Sequence, residues 1–362
     1  AKLDMAVVKG LDLALLKTIV PMKGISTGRI DANIKSVNHI PGKTTTAEVS
    51  ASIRGGAMKG WSGDLNLDCS SDVKLTWLDL GKFRIQANDL LLKSLNRKNH
   101  RQQDAEMKGA AMYDFSKGAF DVALTTSEWT QPFIQPLLAT YLGGIELLDA
   151  KISHTEPISL QGDGQGGFAI KGPVKVERMR LKGPDGKLPE GRLAADAILD
   201  LKFTRKGNNW SIEANKTTAS FLLDDRNAGQ ISLGGNYQSQ RSAGNFDVTI
   251  KNVDHHVVSL LSKRWNDEAQ MVAGRVVSLE SKGIFGDQKA AGSLNVKLVG
   301  ADIRVKNGAW PPGPMDVEYE LKNAVITFGG DKWDFEAETN KLDVKQDGVD
   351  VASYDIKQSV KD

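Results

Sequence analysis

Apolar and polar residues alternate along most of this chain with a period of two, the spacing that puts successive side chains on opposite faces of a β-strand. Leu193, Ala195, Ala197, Leu199, Leu201 and Phe203 fall on one face of a long segment, with Ala194, Asp196, Ile198, Asp200, Lys202 and Thr204 on the other. Met315, Val317, Tyr319 and Leu321 oppose Asp316, Glu318, Glu320 and Lys322. The same pattern recurs at Val49, Ala51 and Ile53, at Phe168, Ile170, Val174 and Val176, and at Trp333, Phe335 and Ala337. One apolar and one polar face is the signature of antiparallel sheet, because strands buried in a parallel sheet are apolar on both sides. Turn sequences separate the runs, among them Asp163-Gly164, Gly183-Pro184-Asp185-Gly186, Lys206-Gly207-Asn208-Asn209, Gly329-Gly330-Asp331 and Asp347-Gly348. Several runs exceed the usual five or six residues, which suits a wide sheet.

Three stretches break the alternation with helical spacing. Leu11 to Val20 is apolar at 11, 13, 15, 16, 19 and 20 and stops at Pro21. Trp129 to Leu142 carries Phe133, Ile134, Leu137, Leu138 and Tyr141, with Ser127 as a candidate N-cap. His255 to Trp265 carries Val257, Val258, Leu260 and Leu261, with Asp254 before it. Each is too short to stand alone, so the expectation is that they lie on a sheet edge or plug its open end.

The helical stretches also mark a weak repeat. Val8, Leu124 and Ile250 take equivalent places before them, 116 and 126 residues apart (124 − 8 and 250 − 124), and Gly28, Gly144 and Gly274 follow them. This predicts a mostly β fold, a long curved antiparallel sheet in about three units, groove- or sandwich-like. The units are 1–115 with a helix near 11–20, 116–241 with a helix near 129–142, and 242–362 with a helix near 255–265.

Composition narrows the function. Apolar residues make up 40% and charged residues 25% of the 362, as in ordinary folded chains. A net charge of +2 gives no field for nucleic acid, and the one dense basic run, Arg97-Lys98-Asn99-His100-Arg101, reads as a solvated loop. The single cysteine, Cys69, excludes an intrachain disulfide and a multi-thiolate metal site, and its alternation with Leu65 and Leu67 marks a buried, inert thiol. No apolar run reaches a membrane-spanning length. There is no signal peptide, and a start at Ala1-Lys2-Leu3-Asp4, already inside the alternation, reads as a processed or excised piece of a longer protein.

Catalytic patterns are missing. His255 and His256 are adjacent and point about 100° apart on a helix, a poor chelating pair. Gly162-Asp163-Gly164-Gln165-Gly166-Gly167 lacks the Lys-Ser/Thr and the helix of a phosphate loop and reads as a hairpin. Nothing selects a catalytic pair among 45 carboxylates. The expectation is a protein that is not an enzyme, with no cofactor and no metal.

The succession of strand, short amphipathic helix, glycine and strand resembles the AsmA-like, TamB-related family of Gram-negative envelope proteins. The resemblance rests on Val8-Lys9-Gly10-Leu11-Asp12 through Ile30-Asp31-Ala32-Asn33-Ile34, on Phe246-Asp247-Val248-Thr249-Ile250 through Gly274-Arg275-Val276, and on segments such as Gly292-Ser293-Leu294-Asn295-Val296-Lys297-Leu298. It implies a bridge-like lipid-transfer fold in which an apolar groove carries phospholipid or other acyl chains, with membrane proteins as possible partners at either end and no nucleic acid. It also implies a periplasmic location, as part of an inner-membrane-anchored protein whose N-terminal anchor this chain lacks. The physical logic agrees, since an uncovered apolar face must find an apolar partner. Candidate groove residues are Leu199, Leu201, Phe203, Val317, Tyr319 and Leu321, with Asp200, Lys202, Glu318 and Glu320 toward water. The alternative is a structural or adhesive β-sandwich module without lipid, and a carbohydrate-processing β enzyme comes third.

Overall fold

A computed structural model describes residues 2–3, 6–12, 25–41, 44–58, 65–79, 82–95, 103–138, 146–154, 156–182, 191–262, 269–286, 288–305, 313–329 and 332–361. The fold is mostly β and antiparallel, as the alternation requires, with two short helices among the described residues. Contacts divide it into two compact units, Ala1–Lys187 and Leu188–Asp362.

In the first unit β1 (Lys2–Leu3) and β2 (Ala6–Asp12) both pair with β3 (Ile25–His39), and a meander runs on through β4 (Thr45–Met58), β5 (Leu65–Asp79), β6 (Lys82–Leu95), β7 (Gln103–Asp114) and β8 (Ala119–Thr130). Helix α1 (Gln131–Leu138) follows, then β9 (Glu146–His154), β10 (Ile158–Gly162) and β11 (Phe168–Lys182). Both β9 and β10 lie between β8 and β11, so they form one strand position broken near Pro157, which has no N–H for a ladder. The second unit is an unbroken meander of β12 (Leu193–Lys206), β13 (Asn209–Leu223), β14 (Arg226–Gln238) and β15 (Ala243–Asp254), then helix α2 (His255–Ser262). It continues through β16 (Ala269–Gly286), β17 (Lys289–Val305), β18 (Met315–Gly329), β19 (Lys332–Gln346) and β20 (Val349–Lys361).

Strand register aligns the apolar positions into rows. In the first unit Ala6, Ile34, Val49, Val73, Ala87, Ala111, Val122, Leu160 and Ile170 are successive cross-strand partners. In the second, Ala197, Ala219, Ile231, Ile250, Leu279, Val296, Tyr319, Leu342 and Tyr354 cross all nine strands. Directly paired residues share a face, so each row is continuous apolar surface. The opposite face is laced with ion pairs such as Lys35–Asp72 at 3.0 Å, Lys297–Glu318 at 2.5 Å and Arg54–Asp31.

Among its described residues the second unit is a single layer. A second sheet would bury the middle row, yet no residue of the nine-strand row in the second unit is buried. Burial concentrates where the helices lie. Phe133 of α1 packs on Ala105 with Leu92, Met107 and Trp129, and Ile134 packs on Leu147 and Ala150. Gln131 and Gln135 staple the helix to β9 by donating to the Leu147 carbonyl (2.8 Å) and accepting from its N–H (2.7 Å). Val257 of α2 is 1% exposed, with buried Val253, Met271 and Val276 on the adjoining strands.

Bulges bend the strands. Gly10, Gly55 and Gly300 adopt positive φ where the register slips, and each donates its N–H to an aspartate on the neighbouring strand (Asp31, Asp68 and Asp316, 2.7–2.8 Å). A bulge raises local twist and bends its strand, and glycine takes the left-handed conformation without strain.

Two expectations change. Leu11 and Asp12, placed in a first helix near 11–20, end strand β2, and 13–20 lie outside the described residues. Trp129 and Thr130 are the last residues of β8, so the second helix starts at Gln131 and the buried Ser127 sits inside a strand rather than at a cap. Its proposed end at 139–142, like 263–265 of the third, lies outside the described residues. The unit boundaries at 115/116 and 241/242 fall in the β7–β8 and β14–β15 hairpin turns, where hydrogen bonding runs on unbroken. The two compact units divide at 187/188.

Candidate functional site

The apolar face of the second unit is the candidate site. Leu199, Leu201 and Phe203 share one side of β12, while Val317, Tyr319 and Leu321 share one side of β18. The two sets are six strands apart, so they touch only through the rows between them. Phe203 continues through Ile212, Tyr237, Gly244, Phe285, Ala290, Ile326 and Phe335. Leu321 continues through Leu294, Ser281, Val248 and Leu233. Five of the six are half-buried, and Val317 is buried at 6%.

On the opposite face Lys202 and Glu318 are exposed, Asp200 and Glu320 half-buried. Glu318 and Glu320 are neutralised by Lys297 and Lys322. On the apolar side, burial first and the neighbouring Tyr354 second push the Tyr319 hydroxyl above its ordinary value, so it stays a neutral donor there. The face therefore presents no ionised group along its middle row.

Sequence reasoning passed over an aromatic ladder on the same face. Rings of Phe203 and Trp210 lie 6.2 Å apart, Trp210 and Tyr237 4.9 Å, Tyr237 and Phe285 5.9 Å, and Phe285 and Phe246 6.4 Å. The rings come from five consecutive strands, β12 to β16, near the β12–β13 and β14–β15 turns. The signal was an aromatic residue close to each turn, visible once the hairpins are paired.

Several polar features elsewhere have local partners, whereas the buried ring nitrogens Trp129 Nε1 and His154 Nε2 have no hydrogen-bond partner among the described residues. A shallow depression of about 770 Å³ on the first unit is lined by Asp31, Arg54, Ser50 and Asp72, which hydrogen-bond to one another or to Lys35. Gly162 to Gly167 forms the expected hairpin loop, with the Asp163 carboxylate accepting from the N–H groups of Gln165 and Gly167. Cys69 is half-buried on the apolar face between Ile53 and Leu92, and burial pushes its thiol up, away from the reactive thiolate.

Asp254, His255 and His256 do converge, with potential metal-ligating atoms within 4.8 Å of one another. The two rings lie 3.8 Å apart, so the wide angular separation expected of adjacent helical residues does not hold at this helix end. Hydrogen bonding explains the cluster. Asp254 caps α2, its Oδ1 accepting from the His256 N–H at 2.9 Å and pairing with His256 Nδ1 at 2.6 Å.

Comparison with protein-family models, with curated proteins and with solved structures returns no match.

Proposed function

We propose that this chain is a non-enzymatic, periplasmic envelope protein that holds or conducts phospholipid acyl chains along the apolar face of its β-sheet. The observation that carries the reading is the uninterrupted apolar row across nine strands with no second layer over it. Exposed apolar area of that extent seeks an apolar partner. An acyl chain is a fitting one, because each buried methylene contributes about 0.8 kcal/mol and needs no hydrogen-bond partner from the face. The half-burial of the middle row supports this over the sandwich module, in which the same residues would be dry on both sides. The resemblance to the AsmA-like envelope family points the same way, and the periplasmic location rests on that resemblance alone.

The test is lipid extraction and mass spectrometry of the purified protein, paired with Leu201→Asp. The expected outcome is co-purifying phospholipid that falls sharply in the variant while the thermal midpoint moves little. In a closed two-sided core the same change strands an unpaired carboxyl, which costs more than the roughly 2–7 kcal/mol of a buried neutral polar group while it stays ionised and must otherwise take up a proton. An unfolded variant together with a lipid-free parent would overturn the reading.

A further inference from the structure

We propose that the β12–β13 and β14–β15 turns of the second unit dock on the headgroup surface of a bilayer rich in anionic phospholipid. The proposal names a partner for the apolar face, and the uptake of acyl chains from the docked bilayer rests on the function proposed above.

Two independent features meet at this end of the strands. The first is the aromatic ladder. Trp210 and Phe246 are each 38% exposed although they lie on the apolar face, and Trp210 and Tyr237 each combine an apolar body with a polar tip. Such side chains settle where an apolar phase meets water, with the ring among acyl chains and the tip at headgroup level.

The second is charge. Arg205 and Lys206 flank the β12–β13 turn and Arg241 sits in the β14–β15 turn, all exposed. Neither Arg205–Asn209 nor Ser239–Ser242 contains an acidic residue. Between β16 and β17, and again between β18 and β19, the sequence sets an Asp close to a Lys, so the positive excess is confined to the two turns next to the ladder. At the opposite ends of the same strands acids stand beside bases, with Asp224 and Asp225 next to Arg226 between β13 and β14 and Asp347 near Lys345 between β19 and β20. Cations with no acidic residue in their own turn thus stand beside the exposed rings.

Basic groups with aromatic rings also suit single-stranded nucleic acid. Here the cations stand at turn tips and not along a groove that could track a phosphate backbone, while the rings border an uncharged row of Leu201, Ala214, Gly235, Phe246 and Gly283. The position of the cations at the turn tips favours a bilayer.

The experiment is co-sedimentation with phosphatidylcholine vesicles and with mixed phosphatidylcholine–phosphatidylglycerol vesicles, at low and high salt. Binding to the mixed vesicles alone, weakened by salt and accompanied by a blue shift of tryptophan emission that Trp210→Phe diminishes, is the expected result. Combined Arg205→Glu, Lys206→Glu and Arg241→Glu should lower affinity about a hundredfold or more, with an unchanged circular dichroism spectrum. Asp224→Asn with Asp225→Asn should not lower it. Equal binding to neutral vesicles, full binding by the triple variant, or displacement by a single-stranded oligonucleotide would each overturn the proposal. Co-purifying lipid without vesicle binding would sink docking and leave the acyl-chain reading standing. Vesicle binding by a protein that carries no lipid would uphold docking and sink that reading.

Discussion

Single polar side chains in this molecule mostly serve the backbone. Asp114, at the end of β7, accepts from the Ser116 hydroxyl at 2.5 Å, the Ser116 N–H at 3.0 Å and Arg84 at 3.1 Å. The Ser116 and Arg84 hydrogen bonds outweigh burial and lower its carboxyl from the ordinary value of 3.8 to about 2. A depressed acid stabilises the fold above its unfolded-state value, and that contribution is lost as pH falls through the folded-state value. The parent should therefore lose stability more steeply than Asp114→Asn between about pH 4 and pH 2, as acid titration of the thermal midpoint would show. Asp254 has a related task. Burial raises its carboxyl, but the hydrogen bonds from His256 and the two imidazoles together hold it below its usual value. Asp254→Ala should cost about 1 kcal/mol, read from denaturant unfolding, and expose the α2 amides to hydrogen exchange. The cap was legible as an Asp before an apolar helical stripe. The convergence of His255 and His256 on it was not, because a helical-wheel angle says nothing about side-chain rotamers at a helix end.

Strands were the easiest elements to read, since alternation over 12 or more residues leaves little room for another period. Helix beginnings were harder. Trp129 belongs both to the helical spacing and to the strand alternation of β8, and pairing with Ala105 and Ile152 decides in favour of the strand. Bulges were illegible for a related reason: a glycine inside a strand pattern signals either a turn or a bulge, and only the aspartate across the ladder selects the bulge at Gly55 and Gly300. The helices are where the sheet acquires a true core. Phe133 is 5% exposed and bridges α1 to β6, β7 and β8. Phe133→Ala should cost about 3–5 kcal/mol, a value typical of fully buried aromatics. Native-state hydrogen exchange should localise the damage to α1 and β9, whose amides the Gln131 and Gln135 staples otherwise hold.

The molecule as a whole follows from rows that add one strand at a time. The alternation predicted one apolar and one polar face, but it could not say what meets the apolar one, because a sandwich and an open sheet share the same pattern. In the second unit every strand pairs only with its neighbours in the chain, so stability should be a sum of nearest-neighbour terms and not one all-or-none core. Ile250, half-buried in the middle row of β15 between Ile231 and Leu279, tests this. Ile250→Ala should cost only about 1–2 kcal/mol, less than a fully enclosed isoleucine, because one side of it has no protein layer to leave a cavity in. Hydrogen exchange should then quicken in β14, β15 and β16 while β19 and β20, three or more strands away, keep their protection. Uniform loss of protection from β12 to β20 would show instead that the nine strands open together, and the row would have to be treated as a single cooperative core.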